Sequence, residues 1–318
     1  MKRYKLSTLI AILILLLAIF PLSSIIGSYW LSFLTLSVIY IIVASWLRVI
    51  MLIGQVSFAH AAFMGIGAYS STLLSINLDF PFWVAFLSSG IIVAVCALAI
   101  GFITLRLKGV YFFLASFATG EIVILAFAYW RDFFGGHIGI TNIPSPSIFL
   151  SPFGSYYLAA LLAAATIILI YLWENSKLGL TSWAIRENQL LSESVGINIM
   201  KYQLLTFVIA CFWTGLTGSV YAYFMRFISP SSFSFSQMLS LLVWVVVGGS
   251  NHFIGPITGV IVLRVIAEIF GGLREYEMIL NSLILVLVIL FLPDGLYSIP
   301  SHFKMVFSTL GNFFKRNH

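Results

Sequence analysis

The sequence predicts an all-α, polytopic helical membrane protein with about ten transmembrane helices. Hydrophobic residues make up 61% of the 318 residues and charged residues only 8%, whereas roughly a quarter of the residues in a soluble domain are charged. The apolar residues lie in long continuous runs, which are typical of helical spans and not of the alternating strands of an outer-membrane barrel. The composition therefore excludes an ordinary soluble globular protein.

Ten apolar runs are candidates for membrane-spanning helices, and some of them are short or broken. We expect the first run to be a retained helix and not a cleaved signal peptide, because no small-residue cleavage site follows it. The whole chain, residues 1–318, is predicted to form a single transmembrane domain. The runs lie near residues 6–27, 31–47, 54–76, 82–104, 110–130, 155–173, 203–226, 237–249, 256–270 and 278–297.

The basic residues are divided unequally between the two sides of the predicted bundle. With the N-terminus inside, twelve fall at cytoplasmic ends, three fall outside (Arg131, Arg226 and Arg274), and Arg264 lies within a span. The positive-inside rule then predicts that both termini are cytoplasmic. This explains the net charge of +6 without nucleic acid as a partner. The twelve are Lys2, Arg3, Lys5, Arg48, Arg106, Lys108, Lys177, Arg186, Lys201, Lys304, Lys315 and Arg316.

Two connections are longer than the others. The external loop, residues 131–155, is punctuated by Gly and Pro, which indicates irregular backbone. The cytoplasmic loop, residues 174–202, alternates apolar and charged residues at helical spacing before Gly196. This pattern predicts a short amphipathic helix that ends at Gly196 and lies at the cytoplasmic surface as a docking element, with a solvated loop as the alternative.

Two predicted spans are interrupted. One is the stretch GQVSFAHAAFMGIGAY (residues 54–69), and the other breaks at Gly248, Gly249, Gly255 and Pro256. If spans two to five repeat as spans seven to ten, the two breaks correspond and the repeat is inverted. Broken helices at matching positions indicate a transport site near the middle of the membrane.

Polar side chains within the spans are candidates for the lining of a translocation pathway. An ionisable group at this depth is expected to face a cavity or a partner, although Glu121 could instead bond to backbone near the cytoplasmic end. His60 could be a structural hydrogen-bonding residue or part of a proton relay. Three glycines, Gly65, Gly255 and Gly259, are predicted to allow close helix packing. The candidate pathway residues are Gln55, Ser57, His60, Glu121 and Asn251.

The motifs of soluble and membrane-embedded enzymes are absent from the sequence. There is no Gly-Lys dipeptide and hence no phosphate-binding loop, and HExxH, CxxC and GxSxG do not occur. We therefore expect no catalytic residue and no metal site, and any motor must be a separate subunit. A secondary carrier driven by protons or sodium is the alternative, but it has no need of the cytoplasmic docking helix.

Several stretches together resemble the permeases of branched-chain amino acid ABC transporters. The resemblance covers residues 55–298, and the motifs occur in the order of the family. The family usually has glycine before the histidine, where this chain has Ala59. The stretches are GQVSFAHAAFMGIGAY, LRLKGVYFFLASFATGEIVILAFAYW followed by GGHIGI, AIRENQLLSESVGINIMKYQLLTFVIACFWTGLTGSVYA, GGSNHFIGPITGVIV and FLPDGLYS.

The resemblance implies the partners, the location and the coupling residues. Such a permease pairs with a second permease subunit in the bacterial inner membrane, binds two ATP-binding subunits, and receives substrate from an extracytoplasmic binding protein. ATP is used by the partners, so no cofactor is expected in this chain. The substrates would be leucine, isoleucine and valine, although related permeases for urea and short amides share much of the pattern. The resemblance also implies that residues 184–196 form the helix that sits in a groove of the ATPase. The residues expected to contact the ATPase are Ala184, Ile185, Arg186, Glu187, Asn188, Ser194 and Gly196.

Overall fold

Long apolar helices make up most of residues 27–269, the part of the chain that the computed structural model describes. Within these residues there are twelve α-helices and two short 3-10 helices, Gly136–Ile138 and Pro230–Phe233. The α-helices are α1 (Ser28–Met51), α2 (His60–Asn77), α3 (Phe82–Thr104), α4 (Val110–Tyr129), α5 (Arg131–Phe134), α6 (Ser147–Leu150), α7 (Pro152–Asn175), α8 (Lys177–Glu187), α9 (Gln189–Ser194), α10 (Ile199–Met225), α11 (Phe235–Gly248) and α12 (Gly255–Ile269).

The prediction of an all-α, multi-pass membrane protein is confirmed. In the described residues, six helical segments are long and apolar enough to cross a membrane: α1, α3, α4, α7, α10 and Pro230–Gly248. The predicted span at residues 82–104 coincides with α3. The first and last predicted spans lie outside the described residues, so the total of ten stays a prediction.

The described residues divide into two compact units, one ending at Leu241 and the other beginning at Leu242. The expectation of a single domain stays a prediction. In the first unit, the loop predicted at residues 131–155 contains two short helices, α5 and α6, and a strand, β1 (Ile140–Thr141). This strand pairs antiparallel with β2 (Phe227–Ile228), with Ile140 opposite Ile228.

Helix α2 packs closely against α10 at the centre of the first unit. A Cβ on Gly67 would overlap the backbone of Gly215, and a Cβ on Gly218 would overlap the carbonyl oxygen of Met64. Small residues therefore let the two backbones approach each other, as they do in other membrane helix pairs. Helix α1 is also central, since 83% of its membrane-crossing window is buried.

Two helices of the first unit expose most of their apolar side chains. Only 28% of the membrane-crossing window of α3 is buried, and only 22% of that of α4. Leu87, Ile91 and Val95 on α3, for example, are all more than half exposed. In a membrane protein such a surface suits lipid or another apolar subunit.

The second unit contains the predicted break in the chain. Helix α11 ends at Gly248, the chain turns at Gly249 with φ +106°, and α12 begins at Gly255. A Cβ on Gly259 would overlap the carbonyl oxygen of Trp244, and one on Gly255 would overlap that of Gly249. These glycines lie where α11 and α12 approach most closely.

Candidate functional site

Residues 52–59, here called the loop segment, form a largely buried non-helical connection between α1 and α2. The turn is made at Gly54, whose φ of +78° favours glycine. Gln55 and Ser57 follow with irregular backbone, and both side chains are buried. The interruption was predicted from sequence, but the helix was predicted from residue 54 and instead begins at His60, because the intervening backbone bonds to neighbouring helices.

Neighbouring helices supply two hydrogen bonds to the loop segment. The Gln203 amide donates to the carbonyl oxygen of Ile53 over 3.4 Å, and the backbone N–H of Phe58 donates to the hydroxyl of Ser116 over 3.0 Å. Gly120 of α4 lies so close that a Cβ there would be 3.3 Å from the Phe58 carbonyl oxygen. Irregular backbone at membrane depth is stable only when it is surrounded in this way.

His60 lies near the middle of the bundle. Its Nε2 atom is 2.8 Å from the hydroxyl oxygen of Thr214 on α10, and its side chain is fully buried. Helix α10 has 27 residues, about 40 Å, and Thr214 lies about 22 Å from its start. In this chain the imidazole therefore joins the start of α2 to the centre of α10.

Replacement of Thr214 with valine tests this bond. We expect a loss of about 1–3 kcal/mol in the free energy of unfolding, because a buried histidine nitrogen loses its partner. Thr217→Val is the matched control, since Thr217 is also buried and its hydroxyl donates to the Trp213 carbonyl within the helix. Denaturant unfolding in detergent measures both variants. Equal losses would show that the His60 bond adds nothing.

The other predicted pathway residues lie in different places. Glu121 is half-buried on α4 and follows Gly120 in the chain. Asn251 is exposed between α11 and α12 in the second unit. Gly65, predicted to serve packing, faces the rings of Phe127 and Phe233. The structure thus brings Gln55, Ser57 and His60 together at the loop segment and the start of α2. The role of all five residues as pathway lining stays a prediction.

Apart from that of Ser57, the buried hydroxyl groups near this region were not singled out by the sequence. The hydroxyl oxygens of Ser57, Tyr69, Thr72 and Ser219 have no hydrogen-bond partner within the described residues. Buried hydroxyls normally have a hydrogen-bond partner in protein or water. These four hydroxyls can therefore still form a hydrogen bond with such a partner. Serine and threonine are common in membrane helices, and only the fold distinguishes these positions from the others.

The predicted amphipathic helix over residues 184–196 consists of two helices, and the prediction of one continuous helix is wrong. Helix α8 ends at Glu187, and Asn188 adopts extended backbone (φ −155°, ψ 105°). The Asn188 side chain then accepts a hydrogen bond from the N–H of Leu191 over 3.0 Å and caps α9. Asparagine is among the best N-capping residues, which explains why the chain restarts here.

The surface of α9 is apolar and exposed. Leu190, Leu191 and Val195, here called the apolar patch, are 75%, 64% and 69% exposed. Gly196, with φ +84°, ends α9 with hydrogen bonds from its own N–H to Glu193 and from Ile197 to Ser192, which is a Schellman motif. Ile185 is buried and anchors α8, while Ala184, Glu187, Asn188, Ser194 and Gly196 are exposed. An exposed leucine pair on a rigid two-helix element is suited to docking.

Charged residues surround this element at one end of the first unit, here called the basic end. A groove of about 470 Å³ lies beside α9 and is lined by Arg106, Lys108 and Glu193 among others. Arg186 on α8 stacks its guanidinium on Trp183, 5.4 Å from the ring centroid. Its Nη1 atom is buried and has no hydrogen-bond partner among the described residues. The basic end therefore presents both apolar and cationic groups.

One buried ion pair could not be foreseen from sequence. Arg48 at the end of α1 and Glu174 at the end of α7 are both buried, and their Nη1 and Oε1 atoms lie 2.5 Å apart. The two residues are 126 positions apart in the chain. Arg48 was interpreted only as an orientation signal, since nothing local indicates its partner.

Comparison with known proteins places the chain among transport permeases. Residues 29–292 match the family model described as branched-chain amino acid transport system / permease component. The chain is 29% identical over 290 residues to the high-affinity branched-chain amino acid transport system permease protein LivM of Escherichia coli, covering 82% of this chain and 68% of that protein. The LivM protein of Salmonella typhimurium is 28% identical over the same coverage.

A more distant relative matches less than half of the chain. The probable branched-chain amino acid transport permease protein LivH of Methanocaldococcus jannaschii is 25% identical over 153 residues, covering 45% of this chain and 47% of that protein. No solved structure matches the chain.

Proposed function

Because the chain belongs to the family of branched-chain amino acid transport system permease components, we propose that it is a membrane subunit of an ABC importer for leucine, isoleucine and valine. The observation that carries the proposal is the basic end with its apolar patch. An independent carrier has no use for an exposed leucine pair on two short, capped helices. A permease driven by a separate ATPase needs such a surface to receive force.

The ATPase is proposed to dock on α8 and α9. The apolar patch would be covered by the partner, and Arg186 would pair with a partner carboxylate, since hydrogen bonds between charged groups are the stronger ones. Ala184, Glu187, Asn188 and Ser194 border this surface and are exposed. This assignment makes the basic end cytoplasmic, in agreement with the positive-inside rule.

The proposed substrates suit the interior of the first unit. A zwitterionic amino acid is net neutral, so a pathway needs hydrogen-bonding groups more than fixed charge. The loop segment and the start of α2 supply the buried side chains of Gln55, Ser57 and His60 beside largely apolar helices. We propose that this region borders the pathway, which would be completed by a second permease subunit. An extracytoplasmic binding protein would deliver substrate on the opposite side.

Reconstitution of the assembled complex in proteoliposomes tests the energy source. We expect leucine uptake that requires ATP on the side of the ATPase, requires the binding protein, and persists when proton and sodium ionophores are present. Omission of the ATPase alone is the control. Uptake that continues without ATP and collapses with the ionophores would instead establish an ion-coupled carrier.

A further inference from the structure

The ion pair between Arg48 and Glu174 lies where α7 turns into α8. Both charged groups are buried. Removal of either one would therefore leave the other charge unpaired in an environment of low polarity. Glu174 is the penultimate residue of α7, and α8 begins at Lys177. The pair therefore fastens the start of α8 to the end of α1, the helix that leads into the loop segment.

The junction between α7 and α8 is tight. The Ser176 hydroxyl caps α8 by accepting a hydrogen bond from the N–H of Gly179 over 3.4 Å. A Cβ on Gly179 would overlap the carbonyl oxygen of Trp173 and lie 2.7 Å from Cα of Glu174. Helix α8 folds directly onto the end of α7. The ion pair and α8 therefore have little freedom to move relative to each other.

The far end of α8 rests on the loop segment. A Cβ on Gly54 would lie 3.6 Å from Cα of Arg186, an ordinary van der Waals contact with backbone. The neighbouring carbonyl of Ile53 accepts the hydrogen bond from Gln203 near the start of α10. Helix α8 is thus joined to the end of α1 by the ion pair at its start, and it lies against Gly54 at its end.

We propose that Arg48 and Glu174 are positioning residues that couple α8 to the loop segment, so that the two move together during the transport cycle. Displacement of α8 then shifts residues 52–59 and the start of α2 at His60, which is bonded to the centre of α10. The route runs through the loop segment and not only along α7 or α10. The inference rests on the proposed function, because the force on α8 comes from the proposed ATPase.

Charge removal and charge exchange at the pair test the route. In the assembled complex, Glu174→Gln is expected to lower the ratio of uptake to ATP hydrolysis about tenfold, which is within the range usual for coupling between sites. ATP hydrolysis itself is expected to continue. The exchange R48E/E174R is expected to restore much of that ratio. Asp132→Asn, an exposed carboxylate at the other end of the first unit, is the matched control. A purely structural role would lower the amount of assembled complex and leave the ratio unchanged, which would overturn the proposal.

Shortening of the acidic side chain tests the route even if the charge variants fail to assemble. Glu174→Asp keeps the negative charge and removes one methylene group, so the pair with Arg48 is weakened without leaving an unpaired buried charge. Asp132→Asn is again the control. We expect uptake per ATP hydrolysed to fall below that of Asp132→Asn while hydrolysis continues. A ratio equal to that of Asp132→Asn would overturn the proposal.

Failure of the proposed function and failure of the proposed coupling route give different results. If the unmodified complex shows no ATP-dependent leucine uptake, the proposed function fails. If it does show uptake and the substitutions of Glu174 leave the ratio of uptake to hydrolysis unchanged, only the coupling route fails.

Discussion

Gly218→Leu is expected to destabilise the folded chain by about 3 kcal/mol or more, because overpacking against backbone cannot be relieved by a rotamer change. A Cβ at this position would overlap the Met64 carbonyl oxygen and lie 3.0 Å from the backbone nitrogen of Ala68. Helices α2 and α10 would have to separate, which would also stretch the bond between His60 and Thr214. The yield of monodisperse protein in detergent and its thermal midpoint measure the effect.

Gly27→Leu is the matched control for this substitution. Gly27 precedes α1, and nothing lies within 4 Å of a Cβ built there. The same added side chain should therefore leave the thermal midpoint close to that of the unmodified protein. If Gly218→Leu behaved like Gly27→Leu, the close approach of α2 and α10 would be wrong.

The double variant L190S/L191S is expected to reduce ATP-dependent uptake by about tenfold or more, because truncating two central apolar anchors of an interface costs at least about 1.4 kcal/mol. Both side chains are more than 60% exposed in this chain, so the fold itself should be preserved. Copurification of the ATPase with the membrane subunits should fall in parallel. Uptake and copurification together separate a docking defect from a folding defect.

Leu107→Ser is the comparison for the double variant. Leu107 is 40% exposed and lies in the α3–α4 connection, outside α8 and α9. It removes a leucine from the same end of the molecule without touching the apolar patch. Equal losses of uptake in both variants would contradict the assignment of α9 as the docking surface.

The sequence was sufficient to place the helices because their signal is continuous. The apolar run at residues 82–104 coincides with α3, and the glycines at residues 248, 249 and 255 correspond to the break between α11 and α12. Gly54 likewise indicated an interruption. Its extent was not predictable, since the backbone up to His60 is held by Ser116 and Gln203, which lie far away in sequence.

The errors and omissions at the candidate site have physical causes. The break at Asn188 was missed because the apolar spacing from residue 184 to residue 196 suits a single helix, and the capping preference of Asn was not weighed against it. The pair of Arg48 and Glu174 depends on the packing of α1 against α7, which no local pattern reports. The hydroxyls of Tyr69 and Ser219 have no hydrogen-bond partner within the described residues. This can likewise be recognised only from the packing of α2 against α10, and not from the sequence.

Uptake of labelled leucine by cells with and without this chain is the most direct test of the proposed function. Isoleucine, valine and urea are added separately in excess as competitors. The predicted result is loss of leucine uptake on deletion, recovery on re-expression, and competition by isoleucine and valine but not by urea. Leucine uptake that is unchanged on deletion, or that urea inhibits as strongly as isoleucine, would contradict a permease for branched-chain amino acids.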